Sequence, residues 1–275
     1  MTARTTRESV AESSYAIEGG ELGKRRLDLL AEVMRPSTLR LLAEVGLGPG
    51  QRCLDAGCGG GHVTLDLARK VGSTGKVVGI DFDADVVELA RAGAADEGLD
   101  NVELFAADTR TFDGGPFDLA YARFLLSHLS EPEEVLAHLS QLVCAGGFVV
   151  VEDVDFTGSY CHPTDPAYDR YLELYLEVVS HMGGDATIGR RLPRLLFDAG
   201  LEDVTWNVFQ PVHADGPYKL IEILTLERIR PALVQHGLAS PEEIDGILHS
   251  MRRFAADPTT LVSQPRIVQV WGRVG

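Results

Sequence analysis

Two hydrophobic rhythms alternate between about residues 50 and 155. Short apolar runs rich in β-branched residues stand at 52–56 (RCLDA), 76–81 (KVVGID), 101–108 (NVELFAAD), 117–122 (FDLAYA) and 147–153 (GFVVVED). Between them, at 62–71, 84–98 and 132–143, apolar residues recur every three or four positions. The near-continuous runs predict strands buried on both faces, and the spaced ones predict amphipathic helices. Strand and helix in alternation predict a parallel sheet wrapped on both sides. Local residues mark the boundaries. Asp83 is placed to cap the helix at 84, Pro132 suits a first helical turn, and Gly146–Gly147 ends one helix and opens the next strand.

The flanks read differently. Upstream, ELGKRRLDLLAEVMRPSTLRLLAEVGL has helical spacing, and Pro36 predicts a break into two helices near Arg35–Ser37. Downstream, the pattern predicts a helix over 165–183, with Tyr168, Tyr171 and Tyr175 along it. A helix over 188–201 and a strand over 203–213 follow. About fifty mostly helical residues at 214–264 then precede a last strand at 266–274.

Charge and composition narrow the partners. The 275-residue chain carries a formal net charge of −16. That field opposes adhesion to nucleic acid or to anionic membrane, and the longest basic run is KRR at 24–26. No apolar stretch reaches membrane-span length. The start, MTARTTRESVAESSYAIEGG, lacks the apolar core of a signal peptide, and Glu8, Glu12 and Glu18 argue against an amphipathic transit peptide, so a cytoplasmic location is expected. The four cysteines form no C-x-x-C pair, and no metal site is expected.

The candidate chemistry sits in CLDAGCGGGHV, residues 53–63, after a predicted strand and before a predicted helix. Gly57, Gly59 and Gly61 permit a left-handed backbone and close approach of a ligand, and the helix N-terminus behind them favours an anionic group. A P-loop needs Lys and Ser/Thr after its glycines, which are absent. The dinucleotide pattern G-x-G-x-x-G fails, because its third glycine falls on His62 when counted from Gly57. Three acids, Asp55, Asp81 and Asp108, fall at the carboxyl ends of predicted parallel strands, where ligands bind in such sheets. Crowded carboxylates repel a pyrophosphate and attract a cationic amino-acid nucleoside, S-adenosylmethionine.

With LDAGCGGGHVT, VVGIDFDADVVELAR, VELFAADTRTF, FDLAYARFLLSHLSEPEEVL and CAGGFVVVEDVDF in this order, the chain resembles class I S-adenosylmethionine-dependent methyltransferases, in particular the bacterial group similar to ubiquinone/menaquinone-biosynthesis methyltransferases. The resemblance implies an α/β, Rossmann-like, doubly wound sheet of seven strands with the last antiparallel. N-terminal helices and a helical insertion between strands 6 and 7 complete the expected fold. The segments on either side are expected to form an N-terminal helical cover over residues 1–46 and, within a cofactor-binding domain over 47–275, cap elements at about 160–185 and 214–264. By the same resemblance, Gly57, Gly59 and Gly61 line the methionine part of the cofactor. Asp81 binds the ribose with Phe82 beside the adenine, Asp108 takes the adenine amino group with Thr109 adjacent, and Arg123 flanks the methionine end. Tyr15 closes over the cofactor.

The expected reaction is methyl transfer to an O- or N-nucleophile of a small acceptor in specialised metabolism. A nicotinamide-dependent oxidoreductase and a non-catalytic S-adenosylmethionine-binding protein are the alternatives. His128 and Asp153 are the candidate catalytic groups. Each has a competing reading, His128 as a packed histidine behind FLLSHL, and Asp153, with Glu152 and Asp155, as a polar strand end. A homo-oligomer is a further expectation.

Overall fold

In the computed structural model the backbone is described from residue 21 and the side chains from Arg25, both to Gly275. The chain opens with helix α1 (Glu21–Glu44). It then alternates through β1 (Arg52–Ala56), α2 (His62–Val71), β2 (Lys76–Asp81), α3 (Ala84–Asp96), β3 (Val102–Ala106), β4 (Phe117–Arg123), α4 (Pro132–Leu142) and β5 (Val143–Asp155). A short strand β6 (Cys161–His162) precedes α5 (Pro166–His181), α6 (Leu192–Asp198) and β7 (Glu202–Phe209). The two-residue β8 (Val212–His213), α7 (Ile221–Gln235), α8 (Pro241–Ala256), β9 (Leu261–Ser263) and β10 (Arg266–Arg273) complete the chain.

The main sheet has seven strands in the order β3-β2-β1-β4-β5-β10-β7. Strands β1 to β5 pair in parallel, whereas β10 runs antiparallel between β5 and β7. Central strands β1, β2 and β4 are buried almost throughout, as their unbroken apolar runs require. The order reverses between β1 and β4, so the crevice at their carboxyl ends is where a ligand site is expected. The seven-stranded doubly wound fold with a helical insertion before its last strand is therefore present. Helices α7 and α8 form that insertion.

Three local features depart from the sequence reading. Helix α1 is continuous through Pro36. Pro36 is exposed, and so is Glu32, whose carbonyl loses its amide partner, so solvent satisfies what the ring removes. The helix is held from its other side. Arg35 forks onto Asp66 of α2 through Nε and Nη2, at 2.8 Å each, and Thr38 Oγ1 donates to the buried Glu152 carboxylate at 2.8 Å. The helix expected over 188–201 divides into a 3-10 turn (Ile188–Arg191) and α6, because Pro193 fits only the first turn of the latter. The strand expected over 203–213 ends at Phe209. Pro211 has no N–H for the ladder, and Val212–His213 joins a second, three-stranded sheet, β6-β9-β8, which the sequence pattern did not signal.

Candidate active site

Strand β1 delivers Asp55 to the crevice, and the turn after it carries the glycines. Gly57, Gly59 and Gly61 all have positive φ, at 73°, 52° and 82°. Their surroundings differ. A Cβ on Gly59 would meet nothing within 4 Å, so this glycine borders open space. A Cβ on Gly61 would lie 2.8 Å from Ala90 Cβ, so Gly61 lets α2 and α3 pack closely and does not border the cavity. Asp81, at the end of β2, ties the turn down. Its Oδ2 accepts from Gly59 N at 2.9 Å and its Oδ1 from Asp83 N at 3.0 Å. Burial pushes the Asp81 pKa up, opposed by these amides.

Above the turn lies a cavity open at its mouth. Its floor is Asp55, Gly57, Cys58, Gly59 and Gly60; Arg123, Phe124 and His128 form one wall. Asp55 is 2% exposed, and Thr64 Oγ1 donates to its Oδ2 at 2.6 Å. Burial raises the Asp55 pKa to about 6, against the pull of Thr64 and the Arg123 charge. Phe124 has φ 55°, an uncommon backbone for a bulky residue, held by its amide donating to Glu152 O at 2.9 Å. The roof comes from Arg26, Leu30 and Met34 of α1, Tyr175 of α5, and Glu222 and Thr225 of α7. Gln264 and Ile267, at the start of β10, close the far end.

Asp55, Gly57, Gly59, Arg123 and His128 line this one cavity. Burial, with the Arg26 charge, lowers the His128 pKa to about 4, so its imidazole is neutral at pH 7. The other candidates lie outside the lining. Phe82 is 66% exposed beside the β2 end. Asp108 lies two residues beyond β3, in an Asx turn. It accepts from Arg110 N at 2.9 Å and is gripped by the Arg110 guanidinium, whose hydrogen bonds hold its pKa low. Thr109 beside it is buried. Tyr15 lies outside the described residues.

Asp153 is drawn away from the cavity. Its Oδ2 accepts from Ser127 N at 3.0 Å and its Oδ1 from Val154 N at 2.8 Å, so it anchors the turn that carries His128. Burial raises its pKa to about 6. Neighbouring Glu152 accepts from Tyr121, Thr38 and Gln269, and Asp155 pairs with Arg190 and Arg266. For all three acids the structure favours holding the strand end over chemistry.

Arg26, Glu222, Thr225 and Gln264 were missed. For Glu222 a signal existed, a lone acid in the apolar run IEIL; nothing in the sequence near Gln264 marked it.

A doubly wound sheet in this order, with one reversed strand and a glycine turn at its switch point, is the architecture of a nucleoside-binding α/β protein. Residues 47–181 match the family model described as a methyltransferase domain. The chain is 32% identical over 201 residues to an uncharacterized 37.1 kDa protein in transposon TN4556 of Streptomyces fradiae, covering 72% of this chain and 57% of that protein. It is 30% identical over 150 residues to demethylmenaquinone methyltransferase of Lactococcus lactis, covering 54% of this chain and 56% of the relative. The chain therefore spans a little over half the length of these curated relatives. The crystal structure of a SAM dependent methyltransferase from Aquifex aeolicus superposes with TM-score 0.52 at 24% identity, covering 69% of this chain and 92% of that one. The chain thus has the fold of that methyltransferase structure, and over residues 47–181 it matches the methyltransferase-domain family.

Proposed function

We propose that this chain transfers the methyl group of S-adenosylmethionine to an O- or N-nucleophile of a small acceptor in the roofed cavity. The observation that carries this reading is the single cavity that joins a glycine turn and a buried carboxylate to a mostly apolar chamber. The turn fits the cofactor. Gly59 leaves space where any side chain would intrude, and Asp55 offers negative charge to a ligand bearing a sulfonium and an ammonium. In this reading Gly57 and Gly59 face the methionine portion with Arg123, Asp81 takes the ribose hydroxyls, and Phe82 flanks the adenine. Asp108 and Thr109 border the adenine edge, and Gly61 acts by packing.

When bound, the cofactor supplies an electrophilic methyl carbon on a good leaving group. The protein's task is then to align the acceptor and exclude water. Helices α1, α5 and α7 exclude water, and Phe124 shapes the wall beside the glycine turn. His128, in the wall, is the candidate base where the nucleophile must lose a proton, though burial lowers its pKa to about 4 and makes it a weak one. Helix α1 acts as cover and residues 47–275 as the transferase domain. Among the described residues no helix is long and apolar enough to cross a membrane, and we place the activity in the cytoplasm, on specialised metabolites.

Calorimetric titration with S-adenosylhomocysteine, with NAD⁺ as control, tests this. Micromolar binding of the first alone is expected. Binding of NAD⁺ alone would replace the reading with nicotinamide chemistry.

A further inference from the structure

The cavity has two polar ends, and the cofactor reading uses one. At the other, α7 places Glu222 in the roof, 2% exposed. The Tyr171 hydroxyl donates to its Oε2, and Arg26 of α1 lends positive charge nearby. Burial nonetheless pushes the Glu222 pKa up to about 7. Gln264 lines the same cavity and is also 2% exposed. Its backbone is clamped on both sides. Its N–H donates to Pro211 O at 2.9 Å, and its carbonyl accepts from Gln210 Nε2 at 3.2 Å. Its side-chain Nε2 is buried and has no hydrogen-bond partner. Folded proteins rarely leave such a donor unmatched, and an unmatched one beside a cavity points to an oxygen supplied by a ligand.

The surroundings restrict that ligand. Most of the remaining chamber wall is apolar, with Leu27, Leu30, Met34, Phe156 and Ile221 in it. Net charge on the ligand is disfavoured either way. An anion there faces the Glu222 carboxylate, and a cation faces the Arg26 guanidinium, which is fixed by its Nε donating to Thr225 Oγ1 at 2.8 Å. A hydroxyl suits both polar groups, since it donates to a carboxylate and accepts from an amide.

We propose that Glu222 and Gln264 form the acceptor-recognising end of the cavity and hold a neutral, largely apolar molecule through its hydroxyl group. The proposal rests on the methyltransferase reading and deepens it to a substrate class. The hydroxyl serves as an anchor here, and no covalent step is assigned to either residue.

The test uses the full chain saturated with S-adenosylhomocysteine and four matched probes, para-propylphenol, para-propylanisole, para-propylbenzoate and para-propylbenzylamine, titrated by NMR. The phenol is expected to bind at least about tenfold tighter than the other three, because a site built for a hydroxyl rejects analogues lacking it. Glu222→Leu and Gln264→Leu are each expected to bring the phenol-to-anisole ratio close to one, with S-adenosylhomocysteine affinity held within about twofold. Glu222→Gln, which keeps an acceptor oxygen, retains part of the ratio and covers the case in which the leucine variant fails to fold. A merely structural defect weakens both probes alike and leaves the ratio intact. A wild-type protein that binds S-adenosylhomocysteine but shows no phenol preference overturns the proposal, as does a ratio that survives in the variants. Failure of S-adenosylhomocysteine to bind wild type sinks the methyltransferase reading itself.

Discussion

The backbone amide of Gly59 donates to the Asp81 carboxylate at 2.9 Å, joining the turn after β1 to the end of β2 across 22 residues of chain. The acid proposed to hold the cofactor's ribose therefore also sets the shape of the turn proposed to hold its methionine end. Asp81→Ala is expected to weaken S-adenosylhomocysteine binding by roughly five- to 150-fold, the effect of losing a hydrogen bond to a charged group of about 1–3 kcal/mol. Calorimetry reads this directly. Unchanged affinity in a folded variant would place the ribose elsewhere.

Asp55 makes binding depend on pH. Its pKa of about 6 in the free protein reflects burial. A cationic ligand beside it favours the ionised form, so binding releases protons near and below pH 6 and tightens as pH rises. Affinity for S-adenosylhomocysteine is expected to be about two- to fivefold weaker at pH 5 than at pH 7.5, corresponding to a shift of up to one unit. Asp55→Asn should flatten that profile. Titrations in buffers of differing ionisation enthalpy count the protons, and zero release at pH 5.5 would remove Asp55 from the ligand's surroundings.

Gly61 offers a test of packing alone. Gly61→Ala must adopt φ 82° and bring a methyl against Ala90 at 2.8 Å, so a loss of about 1–3 kcal/mol is expected in urea denaturation. Adding Ala90→Gly should recover part of the loss. No recovery would mean that backbone strain, not the α2–α3 contact, is the cost.

For stability against pH, Glu222 is the group to follow. Its folded pKa, about 7, exceeds its ordinary 4.5, with Tyr168 and Tyr171 of α5 and Arg26 of α1 around it. The folded state therefore binds the extra proton, and this stabilisation is full below about pH 4.5 and lost as pH rises through 7. Relative to Glu222→Gln, the wild type should lose about 2–3 kcal/mol between pH 5 and pH 8, from 1.36 kcal/mol per unit. Paired denaturation curves at the two pH values check both sign and size.

Asp153→Asn separates anchoring from chemistry. Replacing a buried acceptor of two amides should cost about 1–3 kcal/mol of stability. A variant with full stability would return Asp153 to the list of candidate catalytic groups.

Much of the fold was legible because it is local. The runs at 52–56 and 76–81 became β1 and β2 with no change of boundary, and α2 spans 62–71 as its period required. The glycine turn was legible for the same reason, and three residues expected beside it, Asp55, Arg123 and His128, line the same cavity. What escaped was decided by distant partners. Pro36 looked like a break until Asp66 and Glu152 held the helix from behind. Asp108 looked free until Arg110 took it, although the two lie only two residues apart and the pairing was open to prediction. Gly61 looked like its neighbours, and only the position of Ala90 gives it a different task. Gln264 carried no signal at all. Its importance arises because Pro211 and Gln210 pin it in place beside helices from elsewhere in the chain.

The cavity's floor and roof are built from different parts of the chain. The floor is one turn after β1, while the roof is assembled from α1, α5 and α7, with only α5 falling inside residues 47–181. Substitutions in the roof therefore reach the acceptor chamber without disturbing the hydrogen bonds that shape the floor. In the proposed function, such a division lets a lineage exchange one acceptor for another by small steps while the source of the methyl group stays constant. The same division gives an engineer a place to begin, at Glu222 and Gln264.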